Sequence, residues 1–271
     1  MIAVLGTGLL GSGFVEALLD KGHAVGVWNR TRSRLAPLLA RGAVALDHPR
    51  DAGSAERIHL VLRADDAVDA TLAALGPTDA PVVDHSTNLP HRVAERYARM
   101  RAAGVRYTHA PVFMGPGNAR SATGLMLVCG EDGEALEPVL ATMTGKVWNL
   151  GPRPDHAAVY KLLGNGALLS LTGVMGDLLK VGAGQGLPPD EVIAFFERFK
   201  PQGWTPMIAP RILASATHPP SFELAMALKD VELAIQSAGD VPLAVLPGVR
   251  DAMQDAVDSG SGDRDFAIYA R

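Results

Sequence analysis

The sequence predicts an α/β fold, a doubly wound and mostly parallel sheet followed by an all-helical region. Three observations predict it. Up to about Leu150, short apolar runs of strand length alternate with stretches of helical periodicity. A glycine-rich turn joins the first run to the first helix. Beyond the segment Gly151-Pro152-Arg153-Pro154 no strand pattern of useful length recurs. Alternation of strand and helix requires crossover connections, which build a parallel sheet with helices on its faces.

The strand-like runs are Ile2–Leu5, Ala24–Trp28, Ile58–Leu62, Val82–Asp84, Val105–Thr108, Leu125–Cys129 and Val147–Leu150. Helical patterns fall between them at Leu10–Asp20, Ser33–Ala40, Ala67–Leu75, Pro90–Ala103 and Glu134–Met143. Some of the last connections are short for a crossover, which leaves room for an antiparallel pair. After the Pro/Gly segment, Asp155 is a candidate N-cap for a long helix ending near Gln185, where Gly186 stops it. Further helices are expected at Asp190–Phe199, Phe222–Gln236 and Pro247–Ser259. The expected domains are therefore 1–153 and 154–271. No internal repeat or low-complexity tract interrupts them.

Composition narrows the function classes. With 48% hydrophobic and 20% charged residues, the 271-residue chain can bury a sizeable core. A formal net charge of −4 argues against a general nucleic-acid binder. The single cysteine, Cys129, excludes an internal disulfide and fits a reducing compartment. No basic region precedes an apolar run at the N-terminus, so a cytoplasmic protein is expected. The uncharged run between Lys161 and Asp177 is too short to span a bilayer, and no membrane partner is expected. The eight histidines show no paired ligand spacing, so no metal site is expected.

Gly6-Thr7-Gly8-Leu9-Leu10-Gly11 stands between the first strand and the first helix. Gly6 permits the tight turn, Gly8 lets the backbone approach a pyrophosphate, and Gly11 allows close helix–strand packing. The helix then presents free N–H groups and a positive dipole end to phosphates. A glycine-rich turn in another α/β protein would look similar, but the strand–helix context points to dinucleotide binding. The second strand ends Val27-Trp28-Asn29-Arg30-Thr31, with Arg32 and Arg34 close behind. An Asp or Glu there would accept from both ribose hydroxyls and repel a 2′-phosphate. Asn29, Arg30, Thr31 and Arg34 instead offer hydrogen bonds and positive charge, which favours NADP(H). Arg32 reads as solvated.

Lys161 and Asn165 are i and i+4 on the long helix and share a face, just after the expected interdomain segment. A partly desolvated lysine there can exchange a proton with a substrate oxygen. A solvated lysine at a helix end is the competing reading. Lys229-Asp230 reads, on pattern alone, as a surface ion pair on an amphipathic helix. Asp84-His85-Ser86-Thr87 ends a strand, where an open α/β sheet faces its ligand crevice. A helix cap ahead of Pro90 is the alternative.

In combination these segments are recognisable. The sequence resembles the β-hydroxyacid dehydrogenase family, which includes the 3-hydroxyisobutyrate dehydrogenases. The resemblance runs in order through Gly6–Gly11, Trp28–Thr31, Asp84–Thr87 with Pro90, Ala110-Pro111-Val112, Lys161 with Asn165, Lys229-Asp230 and Gly262-Asp263-Arg264-Asp265. It implies a Rossmann domain, a long interdomain helix and an α-helical domain that mediates homodimer or homotetramer formation. It implies hydride transfer between a nicotinamide and a β-hydroxyacid or its semialdehyde, with Lys161 as acid/base and Asn165 beside it. It also implies that Thr87 and Lys229 lie near the nicotinamide, with Ser86 on the substrate side.

Departures bear on the substrate. Where family members often read Pro-Val-Ser-Gly-Gly, this chain reads Pro111-Val112-Phe113-Met114-Gly115, with Asn118 as a nearby polar group. Phe113 and Met114 imply a bulkier, more apolar lining. Leu62-Arg63 replaces a common Leu-Pro beside the cofactor, and His109 stands where an aspartate is common. Trp204 is either a cleft residue or packed core. An imine reductase is the runner-up, favoured by Phe113-Met114 and opposed by Lys161. A cofactor-binding regulator without catalysis is a third reading, opposed by Lys161, Asn165 and Lys229.

Overall fold

The computed structural model describes the chain except residues 201, 202, 204 and 221. It also leaves out the side chains at 166, 169, 170, 172, 173, 176, 205–207, 209, 229, 230, 233, 234, 236 and 237. The described chain forms two compact units, Met1–Asn165 and Gly166–Arg271.

In the first unit the elements run β1 (Ile2–Leu5), α1 (Leu9–Asp20), β2 (Val25–Trp28), α2 (Ala36–Leu39), β3 (Val44–Ala45), β4 (Arg57–Leu60), α3 (Asp65–Leu75), β5 (Val82–Asp84), α4 (Pro90–Ala102) and β6 (Tyr107–His109). There follow β7 (Val112–Phe113), α5 (Pro116–Arg120), β8 (Leu125–Val128), α6 (Gly133–Leu140) and β9 (Lys146–Asn149). The first six strands form one sheet in the order β3-β2-β1-β4-β5-β6, all pairs parallel. The order reverses between β1 and β4. That switch point is where ligands bind in open α/β sheets.

A parallel sheet covered on both faces needs strands apolar on both sides. Ile2, Val4, Val25 and Val27 pack with Phe14 and Leu18 of α1 on one face. Ala3, Leu5, Ile58 and Leu60 pack with Val68 and Leu72 of α3 on the other. Helix α3 is held to α4 by charge. Arg96, almost fully buried, meets Asp65 and Asp69 at 2.8 Å each. These bonds hold the Asp69 carboxyl well below the usual carboxylate range, although its partial burial opposes the shift.

The last three strands leave the main sheet and form their own, in the order β7-β8-β9. Its β7–β8 pair is antiparallel, as the short connection allows, whereas β8–β9 is parallel across α6. The chain turns into this sheet at Ala110-Pro111. There the Ala110 N–H donates to the Asp84 carbonyl at 2.7 Å, and the Pro111 carbonyl accepts from Leu127 at 2.9 Å.

The long helix α7 spans His156–Gly184. Asp155, just before it, binds Arg153 through both carboxylate oxygens at 2.7 and 2.8 Å. The remaining described elements are helical: α8 (Pro189–Arg198), α9 (Thr205–Ala214), α10 (Leu224–Ser237) and α11 (Leu246–Ala256). Buried Asp177 caps the start of α11, accepting from the amides of Ala244, Val245 and Leu246 at 2.5, 2.6 and 3.0 Å. Among the described residues no helix is long and apolar enough to cross a membrane. Among them, too, no group of three His, Cys, Asp or Glu is placed to hold a metal ion.

Candidate active site

The glycine turn is shaped by two close approaches. Gly6 has φ +106°, and a Cβ there would lie 2.3 Å from the Val61 carbonyl oxygen. A Cβ on Gly11 would lie 2.0 Å from the Gly6 oxygen. Gly8 differs, because a Cβ there would meet nothing within 4 Å. Gly8 is also the N-cap of α1. No side chain caps that helix, and its first turn holds no acidic residue. Its amides and dipole end therefore face open space and are suited to an anion.

That space is a cleft of about 560 Å³ at the switch point of the sheet. Gly6, Gly8, Leu9, Leu10 and Gly11 line it on one side. Asn29, Arg30, Thr31 and Arg34 follow from the end of β2, and Leu62, Arg63, Ser86 and Thr87 from the ends of β4 and β5. No carboxylate is among the lining residues. A dinucleotide fits this wall: glycines at the close approach, a free helix N-terminus for phosphates, and arginines at the far strand. Arg32 points elsewhere and pairs with Asp47 at 2.5 Å.

Several expected ligand groups are engaged by the backbone. Asn29 Oδ1 accepts from the Thr7 N–H at 3.2 Å, and its Nδ2 donates to the Thr31 carbonyl at 2.9 Å. Asn29 thus ties the glycine turn to the basic loop. Thr7 is buried and does not line the cleft; its Oγ1 has no hydrogen-bond partner among the described residues. Ser86 Oγ accepts from the Leu62 N–H at 3.0 Å and lines the dinucleotide cleft. Asp84 is fully buried. It accepts from the Ser86 N–H, Asn88 Nδ2 and the Tyr107 hydroxyl at 2.7–2.9 Å. Its role is to fix the strand end that carries Ser86 and Thr87.

The second cluster lies around Lys161 and Asn165, within the first unit. Lys161 is only 9% exposed. Its Nζ donates to the Val112 carbonyl at 2.7 Å and to Asn165 Oδ1 at 2.9 Å. The Phe113 ring lies over it at 4.3 Å from the ring centre. Burial pushes the lysine pKa down. Phe113 also fills the space beside Gly164, where a Cβ would come within 2.3 Å of the ring. Met114 is half-buried against Gly124. Gly115 caps α5, its N–H donating to Asn118 Oδ1 at 3.0 Å. Asn118 Nδ2 donates to Thr123, so this amide closes its own loop.

Lys229 lies on α10, but its side chain is outside the described residues, as is Trp204 altogether. Sequence reasoning singled out the segments carrying Trp28 and His85 but missed Ala67 and Thr71 on the far wall of the cleft. Trp28, Ala67 and Thr71 line it, as does buried His85. The only signal for Ala67 and Thr71 was their place on α3, the helix that follows β4.

A cleft of this construction at a sheet switch point defines a dinucleotide-binding protein, and its likeness to known proteins makes it an oxidoreductase. Residues 1–151 match the family model described as the NAD binding domain of 6-phosphogluconate dehydrogenase. The chain belongs to that family, the β-hydroxyacid dehydrogenases. It is 27% identical to 3-sulfolactaldehyde reductase of Escherichia coli, over 98% of this chain and 93% of the relative. It is 26% identical to mitochondrial 3-hydroxyisobutyrate dehydrogenase of Drosophila melanogaster, over 98% and 87%. The solved imine reductase of Streptomyces aurantiacus superposes with a TM-score of 0.88 at 24% identity, covering 99% of this chain and 98% of that one. This last likeness establishes the two-part reductase fold.

Proposed function

We propose that the chain is an NADP(H)-dependent 3-hydroxyacid dehydrogenase or semialdehyde reductase in which Lys161 exchanges the proton of the substrate oxygen. One observation carries the reading: a buried lysine, with Asn165 at 2.9 Å, in the same compact unit as a dinucleotide cleft. A bound nicotinamide supplies or accepts the hydride. In reduction the Lys161 ammonium gives a proton to the carbonyl oxygen as the carbon gains hydride, and is left as the amine. In oxidation the amine takes the hydroxyl proton. Asn165 and the Val112 carbonyl hold Nζ, and the Asn165 amide orients the substrate oxygen. The relatives named for sulfolactaldehyde and 3-hydroxyisobutyrate support this substrate class.

Preference for the phosphorylated cofactor is supported by Arg30, Thr31 and Arg34 on the cleft wall and by the lack of a lining carboxylate. We expect kcat/KM to favour NADPH over NADH by at least about tenfold, a difference of about 1.4 kcal/mol. Replacing Arg30 and Arg34 by Ala should narrow that ratio. A wild-type preference for NADH would overturn the cofactor reading. The Phe113 ring over Lys161 favours a second reading, reduction of a C=N bond carrying apolar substituents. A panel of 3-hydroxyisobutyrate with NADP+, and of succinic semialdehyde and 1-pyrroline with NADPH, separates the two. Turnover of 1-pyrroline alone would replace the first reading by the second.

We further propose a cytoplasmic homodimer or homotetramer assembled through the helical unit. Leu171, Ile193, Phe195, Ile208 and Leu213 are all exposed there, an apolar surface that a second copy would cover. Light scattering at micromolar concentration should give a multiple of the chain mass, and a monomer would overturn this.

A further inference from the structure

Besides the Asp84–Tyr107 pair, the core of the main sheet holds a second line of polar side chains. β4 reads Arg57-Ile58-His59-Leu60, and all four residues are buried. Arg57 Nε donates to His59 Nε2 at 3.1 Å. His59 Nδ1 lies 2.9 Å from Nε2 of His85, just past β5, and the two rings lie edge to edge with their planes within 13° of each other. His85 Nδ1 lies 2.6 Å from the Ala110 carbonyl oxygen, just past β6. Three side chains thus form a continuous hydrogen-bonded line across three adjacent strands.

The direction of this line is fixed at both ends. A guanidinium has only donors, so His59 Nε2 must accept. A neutral imidazole has one N–H, so His59 carries it on Nδ1 and donates to His85 Nε2. His85 then carries its own proton on Nδ1 and donates to Ala110. A carbonyl oxygen only accepts, so the far end demands the same arrangement. Both rings are neutral, since burial pushes the His59 pKa well below the ordinary histidine value and that of His85 down to about 4.

The line ends at the turn that holds Lys161. Ala110 and Val112 are separated only by Pro111, whose ring fixes its φ. The bond from His85 sets the peptide plane between Ala110 and Pro111. Two residues further on, the Val112 carbonyl accepts from Lys161 Nζ at 2.7 Å. A buried polar line costs desolvation that apolar packing would not, and what it supplies in return is a fixed geometry. We infer that His85 is a positioning residue for Lys161, and that Arg57 and His59 act through it by fixing its tautomer. The inference rests on the reading of Lys161 as the proton-transfer group.

Variants of His85 separate positioning from packing. An Asn amide can take the place of Nδ1 and still donate to Ala110, whereas a Gln amide reaches the place of Nε2 and meets only His59. With the panel substrate reduced fastest, His85→Gln and His85→Phe should lower kcat about tenfold, since small misplacements at a reacting group cost this much or more. Because His85 lines the dinucleotide cleft, kcat is read at saturating NADPH with NADPH Kd measured for each variant, and His85→Asn should recover most of the lost kcat. Arg57→Met releases the tautomer of His59. It should lower kcat when His85 is present and have little further effect in the His85→Asn background, because an amide has no tautomer to lose. The 15N shifts of the wild-type protein should show both rings protonated at Nδ1, a readout independent of any variant's folding. A ring protonated at Nε2, wild-type kcat in His85→Gln, or equal losses in His85→Asn and His85→Gln would each overturn the inference. Lys161→Ala measured alongside keeps the two readings apart. Wild-type turnover there defeats the role of Lys161, while collapse there with an unaffected His85→Gln defeats only the positioning chain.

Discussion

Replacing Lys161 by Ala is expected to lower kcat by about three orders of magnitude while leaving NADPH affinity nearly intact. Positioned proton transfer contributes about 10²–10⁴-fold, and Lys161 is the buried donor placed for it. The substitution removes no cleft-lining group, so cofactor binding has no reason to fall. The pH dependence gives an independent check. Burial disfavours the ammonium, so Lys161 loses its proton at lower pH than a solvated lysine. Reduction needs the charged form, and its kcat should therefore fall with rising pH, starting below the ordinary lysine range. Oxidation needs the amine, and its kcat should rise over the same window. In Lys161→Ala both limbs should vanish together. Unchanged kcat in this variant, or a reductive rate that climbs with pH, would sink the assignment. The titration belongs to the group as it is held. The Val112 carbonyl and Asn165 Oδ1 both accept from Nζ, and both favour the ammonium against the desolvation that dominates.

How much of this was legible in the sequence depends on where the information sits. The strands of the main sheet announce themselves because a parallel sheet buries both faces, and runs such as Ile2–Leu5 are apolar throughout. β3 and β7 have two residues each, too short for any periodicity to register. α9 was hidden by its prolines, one of which, Pro210, lies inside the helix. The glycines and Lys161–Asn165 were legible because their roles follow from spacing along one element. Partnerships across elements were not. Nothing in the pattern says that Asn29 spends its side chain on the Thr7 and Thr31 backbone, or that Ser86 accepts from Leu62. Nor does it place the Phe113 ring over Lys161, though the residue itself marked the departure. The polar line Arg57–His59–His85 is the clearest case. On β4 alone, Arg57 and His59 look like two polar intrusions in a strand. Only the pairing of β4 with β5 makes them a chain.

The glycine turn allows packing and binding to be pulled apart, and the effects should be large. Gly11→Ala would place a methyl 2.0 Å from the Gly6 oxygen and 3.4 Å from the Val61 side chain. Helix α1 must then lift from the sheet, against a contact of backbone on backbone that no rotamer change relieves. The expected cost is about 3 kcal/mol or more, read as a lower denaturation midpoint with NADPH absent, and binding fails with the turn. Gly8→Ala should behave oppositely. The backbone there is extended at φ −69° and a methyl meets nothing within 4 Å, so the fold should lose less than about 1 kcal/mol, the scale of an N-cap change. The same methyl would stand where the phosphates approach the helix N-terminus, and NADPH Kd should rise by at least about tenfold. If Gly8→Ala bound NADPH as tightly as the wild type, the helix N-terminus would not be the phosphate site, whatever the glycines contribute to the fold. If Gly11→Ala lost binding with no loss of stability, its glycine would be a ligand position and not a packing one. Two glycines three residues apart thus report separately on how the turn is built and on what it is built to hold.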